Sequence, residues 1–172
     1  MDKSSIEAIV ESLETDDVRY MIAGGLAVVA HGFVRLTVDV DIVLDLSREN
    51  VLRAVRAFER VGYRPRVPVP FEGLSDPEER RRWADEKGMR VFSLFNPDSP
   101  LTEVDLFVQP PFADFEAALA RAVKLPIREG LEATFVGLVD LLALKRAAGR
   151  PKDLLDIENL ERLAREESAD DH

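Results

Sequence analysis

Between Ser4 and Glu14 the apolar residues Ile6, Ile9, Val10 and Leu13 recur at helical intervals behind two serines able to cap the start, so an amphipathic helix is predicted there. "VRYMIAGG", residues 18–25, reads as a short buried strand broken by glycine, and "GLAVVAHGF", residues 25–33, as a short apolar helix closed by Gly32. "TVDVDIVLDL", residues 37–46, alternates as a strand does. Helical spacing returns from Ser47 to about Val61. Strand, helix, strand and helix in this order predict an α/β (α+β) fold, a mixed β-sheet flanked by helices.

Residues 64–88, "RPRVPVPFEGLSDPEERRRWADEKG", combine four prolines with a dense run of charge. They predict a loop followed by a short exposed helix from Pro77 to about Glu86. "MRVFSLFNPDSPLTEVDLFV", residues 89–108, is a hairpin pattern about the turn-forming "NPDSP". "FADFEAALARA" is helical, and "KLPIREGLEATFV" supplies two short strands about an "EG" turn. Residues from about Gly137 to Arg165 form two helices, the first stopped by Gly149 and the second opened by Pro151. The closing "REESADDH" is expected to be a solvated, frayed end. Without internal repeats or a low-complexity linker, residues 1–172 are expected to make one domain. Its core spans about 15–110, and a C-terminal strand pair and helices span about 111–168.

The 172 residues are 46% hydrophobic and 33% charged, a balance able to bury a real core. No apolar run approaches the roughly 20 residues of a membrane-spanning helix, and the start lacks the basic and apolar regions of a secretion signal. No membrane partner and a cytoplasmic location are therefore expected. Zero cysteines exclude disulfides, thiolate metal sites and cysteine nucleophiles. With His31 and His172 the only histidines, any metal must be held by oxygen. A net charge of −10 opposes the coating of a long nucleic acid by neutralising its backbone, though it leaves room for a local basic patch.

Three features carry candidate chemistry. Asp39 and Asp41 lie two apart on a strand, so their side chains leave the same face roughly 6.6 Å apart along the backbone. That spacing suits oxygen ligation of a pair of Mg²⁺ ions, although an ordinary half-exposed strand also alternates in this way. Gly24 and Gly25 fall between a predicted strand and a predicted helix, where exposed backbone N–H groups can hold phosphate oxygens. The glycines follow neither the Walker nor the dinucleotide pattern. Asp105, in "TEVDLFV", is a third acid that could complete a metal site or take a proton from an attacking hydroxyl, with Glu103 competing from the same face. The bland alternative for either is a surface acid on an edge strand.

"GG…GFVRLTVDVDIVL" with a later "VDLFV" resembles the nucleotidyltransferase superfamily that includes DNA polymerase β. There a glycine pair opens a helix, paired acids follow, and a third acid comes from a later strand. "R-x-T-x-D-x-D" together with "DLLALKRAAGRPKDLLDIENL" looks more narrowly like the abortive-infection type, the toxin half of some toxin–antitoxin pairs. The resemblance covers about half the chain and leaves residues 65–90 without a counterpart. It implies that Gly24 and Gly25 hold the triphosphate of an NTP, that Asp39 and Asp41 bind two Mg²⁺ ions, and that Asp105 is the third acid. It also places Lys145, Lys152 and Asp156 at positions tied to nucleotide binding or catalysis. Independently, Leu138, Leu141 and Lys145 share one helical stripe, which turns the lysine inward, toward phosphate or as a lysine snorkelling from the edge of a core.

Arg35 is expected either to reach a phosphate or to brace its loop through backbone carbonyls, Thr37 to support the strand entry, and His31 to pack at a helix end. Arg80, Arg81, Arg82 and Trp83 could serve an RNA acceptor by charge and stacking, or form a solvated helix with Trp83 packed inward. The conjunction points to an enzyme that moves an NMP from an NTP to an acceptor hydroxyl on RNA or a tRNA end, a protein, or a small molecule. An antitoxin partner is implied by the toxin resemblance alone. The competing expectation is a catalytically silent nucleotide- or partner-binding module on the same fold, which would have no electrostatic reason to keep mutually repelling acids together.

Overall fold

The computed structural model of the chain describes residues 3–170. Helices are α1 (Lys3–Thr15), α2 (Gly24–Ala30), α3 (Arg48–Arg60), α4 (Pro77–Lys87), α5 (Phe115–Ala120), α6 (Leu138–Ala148) and α7 (Pro151–Asp170). Strands are β1 (Tyr20–Ile22), β2 (Asp39–Leu44), β3 (Arg64–Pro65), β4 (Val91–Phe95), β5 (Glu103–Phe107), β6 (Val123–Arg128) and β7 (Leu131–Phe135). They join in one mixed sheet of order β3-β4-β5-β2-β1-β7-β6. The pairs β2–β5 and β1–β7 are parallel and the others antiparallel.

Period-two alternation gives the sheet two unlike faces. Ile42, Leu106 and Phe92 lie in register on β2, β5 and β4 and are fully buried. They face α3, α4 and a 3-10 turn at Phe71–Ser75, where Phe92 stacks between Phe71 and Trp83 at centroid distances of 5.5 and 5.4 Å. α1 buries Ile9, Val10 and Leu13 and packs on α3 and β7, and its Ser12 Oγ donates to the carbonyl of Ala57 on α3 at 2.8 Å. The opposite face of β2, β4 and β5 carries Asp39, Asp41, Ser93, Glu103 and Asp105, all half-buried. α2 packs against both β2 and α6 at this level of the sheet.

Most local signals act as the pattern predicts. Asp76 caps α4 by accepting from the N–H of Glu78 with Pro77 at the first helical position, and Gly88 ends the helix in the left-handed conformation. Gly149 ends α6 in the same way. Three expectations need correction. α4 turns Trp83 inward as expected, but it is not otherwise wholly solvated: Arg80 is buried too, and its Nη1 donates to the carbonyl of Leu74 at 2.7 Å. The closing segment remains helical as far as Asp170, while Asp171 and His172 lie outside the described residues. β5 is an interior strand between β2 and β4, so Asp105 is not an edge-strand acid.

Candidate functional site

The parallel pairing of β2 with β5 sets Asp41 directly beside Asp105 and Asp39 beside Glu103. Asp39, Asp41 and Asp105 line one cleft of about 570 Å³ together with Gly24 and Gly25. Glu103 does not line it; its carboxylate is paired with Arg66, which removes it as a rival to Asp105. Asp105 Oδ1 accepts from Ser93 Oγ at 2.5 Å, and Oδ2 has no protein donor among the described residues.

Gly24 has a φ of +61°, and a Cβ there would lie 2.6 Å from Asp41 Cγ and overlap its carboxylate. A glycine is required on both counts. The carbonyl of Asp41 accepts from the N–H of Ala23 at 2.8 Å, which ties β2 to the turn that opens α2. At Gly25 a Cβ would come within 2.8 Å of both Thr37 Cβ and Arg35 Nη2. The glycine pair thus lets a backbone turn lie flat against the paired-acid strand and the loop before it. Burial, then the charges of Asp105 and Asp39, push the Asp41 carboxyl above the usual carboxylate range, and Lys145 and Arg150 only partly offset them.

A second charged group forms part of the same cleft wall. Lys145 on α6 is 4% exposed, and its Nζ lies 3.1 Å from Asp153 Oδ1 and 2.8 Å from Asp156 Oδ2. Asp153 and Asp156, on α7, are 0% and 2% exposed. Arg35 Nε sits 3.1 Å from Asp156 Oδ1, and Arg150 Nε 2.7 Å from Asp153 Oδ2. Burial pushes the Asp153 carboxyl up, but hydrogen bonds from Arg150 and Lys145 outweigh it and hold the group at about 2. Lys145 is therefore inward, as its stripe predicts, with its ammonium already engaged by two carboxylates.

Of the other residues singled out from the sequence, Lys152 is an exposed cation at the cleft, whereas Asp156 lies behind the wall. Arg35 both lines the cleft and braces its own loop, since Nη1 donates to the carbonyl of Leu36 at 3.2 Å. Thr37 Oγ1 donates to the carbonyl of Asp39 at 3.4 Å. His31 Nε2 bonds the carbonyl of Val136 at 2.8 Å, a packing role at the end of α2. Trp83 is buried, Arg81 pairs with Glu78, and Arg82 pairs with Glu79, so this cluster offers no stacking platform to RNA. Ser93, Arg150 and Asp153 were missed. For Asp153 a signal existed: in "RPKD" Pro151 marks the first helical position and Asp153 the third, from which its carboxylate accepts the N–H of Arg150 at 3.2 Å.

Whether these acids suit a divalent cation follows from their chemistry. All donors are hard oxygens, and the charges of Asp105 and Asp39 add to burial in raising the Asp41 carboxyl. Among the described residues no three His, Cys, Asp or Glu side chains close on one ion-sized point. Mg²⁺ rarely needs such a cage, because it is commonly bound through one or two carboxylates plus substrate phosphates. Asp39, Asp41 and Asp105 fit that mode. Among the described residues no helix is long and apolar enough to cross a membrane.

No protein-family profile and no curated protein matches the chain. Among solved structures it is similar to the lincosamide antibiotic adenylyltransferase LnuA bound to lincomycin, at 16% identity and a TM-score of 0.62. The likeness covers 95% of this chain and 98% of that one. The chain has a nucleotidyltransferase fold.

Proposed function

We propose that the protein is a metal-dependent nucleotidyltransferase that moves an NMP from an NTP to an acceptor hydroxyl. The observation that carries this reading is the Asp41–Asp105 register pair, held against a glycine whose missing side chain is what makes room for the carboxylate. The acceptor oxygen forms a bond to the α-phosphorus, the bond from that phosphorus to the pyrophosphate oxygen breaks, and pyrophosphate leaves. Gly24 and Gly25 bring backbone N–H groups to the phosphates. Asp105, whose Oδ1 accepts from Ser93, would take the acceptor's proton on Oδ2. Asp39, Asp41 and Asp105 would hold the Mg²⁺ ions, which stabilise negative charge on the entering and leaving oxygens.

The fold of an enzyme that modifies a small antibiotic supports a small-molecule hydroxyl as the acceptor, and the absence of a basic stacking surface at Trp83 weighs against a tRNA end. Transfer to a protein hydroxyl is the remaining class. A toxin role with an antitoxin partner rests on the motif resemblance alone.

The competing silent module is separated by titrating each NTP with Mg²⁺ into the wild type and Asp39→Asn. Metal-dependent nucleotide binding that weakens by about tenfold or more in the variant supports the enzyme, since one charge-assisted contact is worth about 1.5–3 kcal/mol. Binding that ignores the substitution supports the module.

Gly24→Ala is expected to cost about 1–2 kcal/mol from left-handed backbone alone, and more because the new Cβ must displace the Asp41 carboxylate. Turnover should fall about a hundredfold with the misplaced acid. Gly130→Ala is the control: φ is +74° but nothing lies within 4 Å of its Cβ, so melting should drop by a similar backbone strain while turnover is unchanged. Thermal melts and initial rates on the two variants check this.

A further inference from the structure

We propose that Arg35 and Arg150 form a two-armed clamp for the triphosphate, aimed by Asp156 and Asp153, and that Lys145 is a buried hub that holds the two carboxylates and does not itself touch substrate. The inference rests on the nucleotidyl-transfer reading of the cleft. Lys145 has its charge balanced on both sides by Asp153 and Asp156 and is almost fully buried, so it has little left to offer a phosphate. The two arginines are differently placed. Arg150 grips Asp153 with Nε and Nη2, at 2.7 and 3.3 Å, and Nη1 has no protein partner among the described residues. Its side chain is 59% exposed and lines the cleft. Arg35 Nε is ion-paired with Asp156 Oδ1 at 3.1 Å without a directional hydrogen bond, while Nη2 lies beside Gly25, where the phosphates are expected.

The clamp reaches in from two separate elements. Arg35 comes from the loop between α2 and β2, and Arg150 from the turn between α6 and α7. The ion cluster ties these elements together through α7. Three cations and two anions leave the cluster with net positive charge, set beside Asp39, Asp41 and Asp105 in a cleft that also carries Arg90 and Lys152 and must receive a polyanion. The Arg150 guanidinium, hydrogen-bonded along one edge by Asp153, presents its remaining N–H groups in a set direction, which suits phosphate oxygens better than a flexible ammonium does, and Arg35 is held near its place by the charge of Asp156. Asp153 and Asp156 are thus positioning residues. Arg150 is a binding residue that the motif resemblance does not assign.

The test uses inorganic tripolyphosphate with Mg²⁺, titrated calorimetrically into the full chain below the melting temperature of each variant, so that no nucleobase preference enters. Arg150→Ala and Arg35→Ala should each weaken binding about tenfold or more. Arg150→Lys should recover only part of the loss. Asp153→Asn should weaken binding as Arg150→Ala does, and add little once Arg150 is already alanine, because both act through one contact. Wild-type protein that fails to bind tripolyphosphate, an Arg150→Ala variant that binds as wild type, or full additivity of the two substitutions would overturn the clamp. Should Asp153→Asn not fold, the Arg150→Ala and Arg150→Lys pair decides alone. Arginine-dependent tripolyphosphate binding in a protein that transfers no nucleotide would keep the clamp and overturn the transfer reading. Asp41-dependent transfer with arginine-independent binding would do the reverse.

Discussion

Asp41→Asn should lower nucleotidyl transfer by about a thousandfold or more, the scale expected when a preorganised charge is removed from the centre of a polar reaction. The same substitution should raise the melting temperature of the metal-free protein at neutral pH. The two effects have one cause. Burial and the neighbouring Asp105 and Asp39 charges raise the folded-state pKa of Asp41, so its ionised form opposes folding. That opposition is absent at low pH, where the group is protonated in both states, and it grows as pH climbs past the ordinary carboxylate value through the raised folded one. Asparagine removes it. Melting curves between acid and neutral pH should therefore diverge, with the variant gaining on the wild type as pH rises. A variant that loses both activity and stability would mark Asp41 as a structural acid.

Lys145→Ala should have the largest effect on stability, about 3 kcal/mol, because it removes the buried cation between two buried carboxylates and leaves each with one arginine. Denaturant unfolding measures this. The pH dependence gives a second signature. Asp153 is held at about 2 against an ordinary 3.8, so its ion pairs contribute stability that is full above about 3.8 and is lost as pH falls toward 2. Removing Lys145 takes away one of the two cations that depress this pKa, and the acid-side loss should become shallower. Unfolding free energy close to wild type, with an unchanged acid limb, would show that the ammonium does not bind the carboxylates in solution.

These expectations rest on contacts that were legible in the chain to very different degrees. Period-two spacing alone put Asp39 and Asp41 on one face of a strand, and helical spacing alone turned Lys145 inward. Both follow from local geometry, as do the stop at Gly149 and the start at Pro77. What spacing could not show is register. Asp105 meets Asp41 because β5 lies parallel to β2 with Asp41 opposite Asp105, and a slip by one residue would have turned the acid into the hydrophobic layer. Glu103 looked equivalent to Asp105 until tertiary structure gave it Arg66 as a partner. Trp83 was legible as the inward residue of an otherwise polar helix, whereas its stacking partner Phe92 was not. The Lys145 cluster was half legible. The inward lysine was visible, whereas its two acids could be assigned only once α6 and α7 were seen to pack together.

The most direct measurement of the central claim is a labelling experiment. Protein, Mg²⁺ and each NTP in turn, labelled at either the α- or the γ-phosphate, are incubated with total RNA, total protein and small-molecule extracts. Release of pyrophosphate is followed alongside. Transfer of α-label but not γ-label to one acceptor fraction, matched by pyrophosphate and lost in Asp41→Asn, is the predicted result. Transfer of γ-label, or α-label transfer that persists in Asp41→Asn, would contradict it.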